Sequence, residues 1–277
     1  MSRIDAHQHF WSVARDDYGW LTPELETLYR DFLPADLAPE LERHQIAATI
    51  LVQAAPSVAE TRFMLSLADD HSFIKGVVGW VDFEHPGAAQ QISELAEHAA
   101  LVGLRPMIQD IADPDWMLRP DLTPAFQALI AQGLTFDALT LPPHLPNLIQ
   151  LLQRHPDMRV VINHGSKPLI RDGLIQPWAE NMAALARDTQ AYCKLSGLVT
   201  EANADWTTED LKPYVDHLLS CFGPDRLIWG SDWPVCLLAS SYEHWMETTD
   251  SLLSGLSASE RDAILGENAA RAYSLRD

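Results

Sequence analysis

The sequence predicts a single-domain α/β fold, a (β/α)8 TIM barrel, and three observations carry that expectation. Eight apolar, β-branched-rich runs alternate with amphipathic helical stretches along the chain. The runs are continuous rather than alternating, as in Ala48-Thr-Ile-Leu-Val and Val160-Val-Ile, which suits parallel strands covered on both faces. The length, 277 residues, is nearly consumed by eight such units, one long loop and a last helix.

Taken in order, the strand candidates fall at 3–8, 48–53, 74–82, 102–107, 135–139, 159–163, 191–196 and 226–230. The helical patterns fall at 35–45, 59–70, 88–100, 122–132, 144–155, 177–187, 208–222 and 241–253. Between the first strand and the first helix, residues 10–34 form a segment too long for an ordinary βα turn. It carries Trp11, Tyr18, Trp20 and Tyr29, rings that either line a pocket mouth or pack the loop onto the barrel. Pro120, Pro124 and the Pro142-Pro143 pair read as barrel turns. A further helix is announced by Ser257-Ala-Ser-Glu260, a capping-box spacing, and runs to about Tyr273. No biased linker, low-complexity tract or internal repeat interrupts the β/α rhythm, so residues 1–277 read as one domain.

Composition narrows the function classes. Hydrophobic residues at 47% and charged residues at 21% are ordinary for a soluble globular chain. Lys+Arg 19 against Asp+Glu 39 gives a formal charge of −20, which argues against nucleic acid and against anionic membrane surfaces. Three cysteines, Cys193, Cys221 and Cys236, cannot all pair and form no CxxC, so a reducing cytoplasm is the expected location. The start Met-Ser-Arg-Ile-Asp-Ala-His has no signal-peptide core, and no apolar run approaches the roughly 18 residues of a membrane span. A homo-oligomer stays open.

The chemistry concentrates at strand ends. In Asp5-Ala-His7-Gln-His9, residues two apart on a strand point to one face, so His7 and His9 project together at the rim that bears barrel active sites. Two such imidazoles can share a metal ion or polarise one substrate oxygen; a bare HxH is a weak signal, and its place at the end of the first strand sharpens it. His164 closes the sixth strand in Val160-Val-Ile-Asn-His164-Gly-Ser-Lys and faces the same rim. Asp232, in Gly230-Ser-Asp232-Trp-Pro, ends the eighth strand, which barrel closure sets beside the first. A carboxylate there can ligate a metal or act as general base towards water, although Ser-Asp before Trp-Pro also suits a turn cap. His44, His71, His98 and His155 sit on helix faces or ends and read as solvated residues.

With Gly266-Glu-Asn-Ala-Ala-Arg-Ala-Tyr273 at the end, these motifs run in order over nearly the whole chain. They resemble the amidohydrolase superfamily, and within it the lactonase branch of sugar-lactone hydrolases and pyrone-dicarboxylate lactonase. The resemblance implies a barrel in which Asp232 activates water while His7, His9 and His164 contact metal or substrate. Departures limit the metal content. Binuclear members use a bridging Lys or Glu on strand 4 or 3 and a His on strand 5, whereas this chain has Gly103-Leu-Arg105-Pro106 and Phe136-Asp137 there. One divalent ion, Zn, on His7, His9 and Asp232 is therefore the most the residues imply, and the lactonase branch includes members that need none.

Arg105, a fixed fork at a strand end, either clamps substrate or pairs with a structural acid such as Asp110 or Asp137. Lys167, Arg171, Gln53 and Trp80 complete the candidate pocket set, with Tyr192 and Trp229 assigned to the core. The expected activity is hydrolysis of a small sugar-derived lactone, such as a fucono-, rhamnono- or galactonolactone, to its hydroxy acid. His7, His9, His164 and Arg105 would stabilise the oxyanion, and Asp232 would activate the water. Substrate contacts are expected from Arg105, Trp11, Trp20, Tyr18, Gln53 and Lys167. A pyrone-dicarboxylate-type lactonase, a metal-dependent aromatic-acid decarboxylase, and a catalytically silent binding barrel are the alternatives.

Overall fold

The computed structural model describes residues 3–275. Its eight strands are β1 (Arg3–Gln8), β2 (Ile46–Val52), β3 (Ile74–Gly79), β4 (Leu101–Leu104), β5 (Thr135–Ala138), β6 (Val160–Ile162), β7 (Tyr192–Leu195) and β8 (Leu227–Trp229). They pair in sequence order, each parallel to the next, with helices filling the crossovers. All eight expected strands are present. The helix expected at 88–100 ends at Leu95, because the chain then turns, with His98 Nδ1 accepting from the amide of Ala100 at 3.2 Å. Among the described residues no helix is long and apolar enough to cross a membrane.

The sheet closes just past the strand ends. The amide of Asp232 donates to the carbonyl of His7 at 2.7 Å, and the amide of His9 donates to that of Trp233 at 2.7 Å. This approach is tight: a Cβ on Gly230 would lie 2.6 Å from the Cβ of His7. A side chain there would push β8 off β1.

Two apolar clusters result. The larger joins the outer strand faces to the helices; the smaller fills the barrel with Ile4, Ala6, Ala48, Ile50, Val52, Val78, Val161 and Ile228. The C-terminal helical run, Ala258–Asp262 through a π-turn at Ala263–Glu267 to Asn268–Ala272, supplies Ala269, Ala272 and Tyr273 to that inner cluster. The Ser257–Glu260 capping box forms at its start as the spacing predicts. The long first loop is pinned at both ends by paired backbone bonds between Trp11 and Phe32, at 2.9 and 3.0 Å. Trp11 packs edge-on against Trp20 and Phe32 at 5.3 Å each, and Phe32 does the same to Trp233 at 5.2 Å. The loop is thus an aromatic wedge fixed to the barrel mouth.

Asp5 staples the closing seam. Its Oδ1 accepts from the amides of Ser231 at 2.9 Å and His7 at 3.2 Å, while Oδ2 accepts from the Tyr242 hydroxyl at 3.1 Å. Burial outweighs these donors and pushes the carboxyl from its ordinary 3.8 up to about 6. The folded state therefore holds this proton more tightly than the unfolded chain does. Asp5's contribution to stability is complete below pH 3.8 and is lost as pH rises through about 6. Asp5→Asn should remove that dependence. The stability of wild type relative to Asp5→Asn, from urea unfolding, should fall by about 3 kcal/mol between roughly pH 4 and 7; a flat difference refutes the assignment.

Candidate active site

Strand closure assembles the site from three places in the chain. His7 and His9 come from the end of β1, His164 from the turn after β6, and Asp232 from the turn after β8. The pairing register of β1 with β2 shifts between Asp5 and Gln8, and there His7 turns into the barrel. Asp232 Oδ1 is the hub: His9 Nε2 lies 3.3 Å away, His7 Nε2 3.6 Å and His164 Nε2 3.8 Å. The His7 ring centroid sits 4.9 Å from that of His9 and 4.4 Å from that of His164.

The backbone is bent to achieve this. His164, Ser166, Lys167 and Asp232 all have positive φ, between 50° and 58°, a conformation that costs non-glycine residues about 1 kcal/mol each. The His164 turn is held by the Trp178 indole donating to the Gly165 carbonyl at 2.6 Å. The His164 ring is set by Ser196 Oγ, 2.9 Å from its Nδ1.

Burial sets the protonation states. It is the main cause of the lowered basicity of all three imidazoles: His164 falls to about 3, and His7 goes well below the usual range, pressed further by Lys194. His9 is lowered less, because Asp232 opposes the effect. Burial alone would raise Asp232, but His164, His9 and Lys167 together hold it below the ordinary 3.8. Asp232 is thus held as a carboxylate, the state a general base requires.

Arg105, at the end of β4, is buried to 4% exposure. Its Nη2 donates to the Gln53 carbonyl and, at 3.2 Å, to Gln53 Oε1; Gln53 Nε2 returns a bond to the Arg105 carbonyl at 2.9 Å. Nη1 lies 3.4 Å from Asn163 Oδ1 and 3.3 Å from His7 Nε2. Neither Asp110 nor Asp137 is its partner in these contacts; Asp137 is bound by Lys194 and Tyr273.

A cavity of about 230 Å³ opens above these groups. Its lining combines the polar residues His9, Arg105, His164, Lys167, Gln109, Asp110 and Asp232 with the apolar residues Trp20, Ala54, Met107, Leu139 and Val235. Of the expected substrate contacts, Arg105, Trp20 and Lys167 reach this lining. Trp20 is seated by its indole donating to the Ala54 carbonyl at 2.7 Å, and Lys167 lies 3.7 Å from Glu201. Trp11, Tyr18 and Gln53 lie behind the lining instead. Trp11 and Tyr18 are packed into the wedge, and the Gln53 amide is spent on Arg105. The sequence reading missed Met107, Gln109, Asp110, Leu139 and Val235, which stand in turns with no marker of their own. It also passed over Lys194, whose signal was present: a lone charge in an otherwise buried strand.

His7, His9 and Asp232 offer ligand atoms within 4.8 Å of one another, all buried. His9 Nδ1 donates to the Val52 carbonyl at 2.7 Å, the outer-shell bond typical of a metal-binding imidazole. These three residues would hold a divalent ion.

A family model described as amidohydrolase matches residues 4–275. The chain belongs to the amidohydrolase family. The resemblance seen in its motifs extends to relatives named L-fucono-1,5-lactonase. That of Burkholderia ambifaria is 42% identical, covering 99% of this chain and 96% of its own. That of Burkholderia multivorans is 38% identical, again covering 99% and 96%. A zinc-bound crystal structure of a Burkholderia multivorans amidohydrolase superposes with a TM-score of 0.94 at 37% identity, over the full length of both chains. For this amidohydrolase the barrel and the family thus agree with the sequence.

One glycine gives the site a sharp test. Gly197 has φ +62, and a Cβ there would lie 2.4 Å from His164 Nδ1. Gly197→Ala should displace the His164 ring, lowering kcat at least about tenfold while circular dichroism stays that of a folded barrel. Unchanged turnover would remove His164 from the chemistry.

Proposed function

We propose that this amidohydrolase opens sugar-derived lactones to hydroxy acids, with a 6-deoxy aldonolactone of the fucono-1,5 type as its preferred substrate. The observation that carries the reading is the Asp232 carboxylate, centred among three imidazoles and open to a small cavity. The names of the full-length Burkholderia relatives support the substrate class. The cavity's mixed lining suits a deoxy sugar: Gln109, Asp110 and Lys167 for hydroxyls, and Met107, Leu139 and Val235 for a methyl group.

The chemistry follows from the geometry. The lactone carbonyl oxygen sits against Arg105 and His164, whose N–H groups stabilise the negative charge that develops there, with His7 packed behind them. Asp232 takes a proton from water as the water oxygen bonds to the carbonyl carbon. The ring C–O bond then breaks, and Asp232 returns the proton to the departing alkoxide, which stays tethered to the product. One carboxylate therefore serves as base and then as acid. A divalent ion held by His7, His9 and Asp232 would supply further polarisation of the carbonyl. The net charge of −20 favours release of the acid product over its retention. We place the reaction in the reducing cytoplasm, where Cys193, Cys221 and Cys236 persist as the free thiols seen here.

Asp232→Asn should lower kcat by about 10²–10⁴, with KM changed little; activity within about tenfold of wild type would assign the base elsewhere. Because Asp232 must be ionised and sits below 3.8, kcat/KM should hold steady down to about pH 4 and fall only below it. A pH-indicator screen of aldonolactone stereoisomers reads acid release directly. The proposal expects the 6-deoxy 1,5-lactones to lead, and no acid from any of them would sink it.

A further inference from the structure

The turn that leaves β2 holds more of the cavity wall than its length suggests. Three successive carbonyls each accept from a side chain of the lining: Val52 from His9 Nδ1 at 2.7 Å, Gln53 from Arg105 Nη2, and Ala54 from the Trp20 indole at 2.7 Å. Gln53 is still tied to the sheet, its amide donating to the Val78 carbonyl at 2.8 Å. Ala54, which lines the cavity itself, lies past that ladder, and its amide needs another partner.

Glu60 supplies it. This residue is fully buried on the first turn of the helix Val58–Asp70. Its Oε1 and Oε2 accept from the Ala54 amide at 2.9 and 3.1 Å, and Oε2 also accepts from the Ala55 amide at 2.8 Å. The spacing Ser57-Val-Ala-Glu60 is that of a capping box, in which the glutamate returns to the serine amide. Glu260 does so with Ser257, at 2.7 Å. Glu60 instead reaches inward, and the Ser57 amide donates to the Ala55 carbonyl at 2.9 Å. Ser57 Oγ already caps the helix by accepting from the Glu60 amide at 3.0 Å, so the helix start does not require the carboxylate. The next residue makes the base rigid: Thr61 Oγ1 donates to the Trp80 carbonyl at 2.9 Å and accepts from the Trp80 amide at 2.8 Å, just past β3.

We propose that Glu60 is a positioning residue for substrate recognition: by holding the Ala54 and Ala55 amides it sets the Ala54 carbonyl, and through it the Trp20 ring, as the wall that receives the lactone ring. This role rests on the lactonase reading and deepens it. Arg105 is held independently by Gln53 Oε1 at 3.2 Å and by the return bond from Gln53 Nε2, while the amide of Asp232 is held by the His7 carbonyl. Loss of Glu60 therefore falls on binding and leaves the reacting groups in place.

The first test needs no lactone, so its failure is separate from failure of the lactone screen. In ¹H–¹⁵N spectra of the tryptophan indoles, the Trp20 signal is assigned by its loss in Trp20→Phe. In Glu60→Ala that signal should shift and its proton should exchange faster with solvent. The signals of Trp229 and Trp245, bonded to Thr249 Oγ1 and the Gly230 carbonyl, should stay in place. An unmoved Trp20 signal overturns the proposal. With the lactone that leads the screen, Glu60→Ala should raise KM about tenfold or more and keep kcat within about threefold. In the Trp20→Phe background the same change should add less than about twofold to KM, because both act on one wall. Additive changes, or a fall in kcat with KM unmoved, also overturn it. Glu60→Gln, whose one carbonyl oxygen can take the place of Oε2 and meet both amides, should restore the Trp20 signal and KM; a glutamine variant as impaired as the alanine one refutes the role. Should Glu60→Ala fail to fold, Glu60→Asp keeps the charge but withdraws the acceptor by one methylene, and it carries the same expectations.

Discussion

Everything in this molecule depends on the closure of β8 onto β1. Two backbone hydrogen bonds of 2.7 Å make that seam, and they belong to His7, His9, Asp232 and Trp233. The bonds that complete the barrel are therefore the bonds that build the candidate site. Asp232 and His9, 223 positions apart in the chain, meet only if the sheet closes in register. Fold and site cannot be separated at this point: the seam that closes the barrel is also the wall that carries the proposed base. Gly230, whose absent side chain lets the two backbones touch, and Asp5, whose carboxylate ties both strands to Tyr242, protect the same few ångströms.

The second organising element is the balance of charge below the pocket. Two carboxylates, Asp137 and Asp232, and two cations, Lys194 and Arg105, share a buried volume. Isolated charges in such a place would cost several kcal/mol each. They are tolerated because each is paired or hydrogen-bonded to neighbours on other strands. The interior of most barrels is packed with branched apolar side chains, as the lower part of this one is. The upper part trades that packing for orientation, holding rings and a guanidinium in set directions. Such polar packing leaves little freedom for slack, because a half-satisfied network is worse than none.

Much of this was legible in the sequence because barrel strands end where chemistry begins. His7, His9, His164 and Asp232 could be picked out because each follows a recognisable apolar run, and strand alternation says which way they face. The first loop and the last helix were visible from length and from a capping box. What escaped was whatever depends on depth rather than on position along the chain. Trp11, Tyr18 and Trp20 look alike in sequence, yet only Trp20 reaches the cavity, because the Trp11–Phe32 pairing folds the others under it. Gln53 stands at a strand end like the true lining residues, but Arg105 consumes its amide. Met107, Leu139 and Val235 are ordinary apolar residues whose role comes from turns that sequence periodicity does not describe. Lys194 is the instructive omission, since a charge inside a continuous apolar strand signals a partner across the barrel.

The Tyr273 hydroxyl bears on how the protein is made. It reaches Asp137 from the final helix, so the set of buried charges under His7 draws on the first strand and nearly the last described residue at once. A nascent chain can stack its early β/α units as they leave the ribosome, yet the Tyr273 donor joins Asp137 only after the last helix has emerged. Contacts of such long sequence separation form slowly, after the local ones. A chain interrupted before Tyr273 would keep most of the scaffold while Asp137 lost one of the donors that hold it under His7.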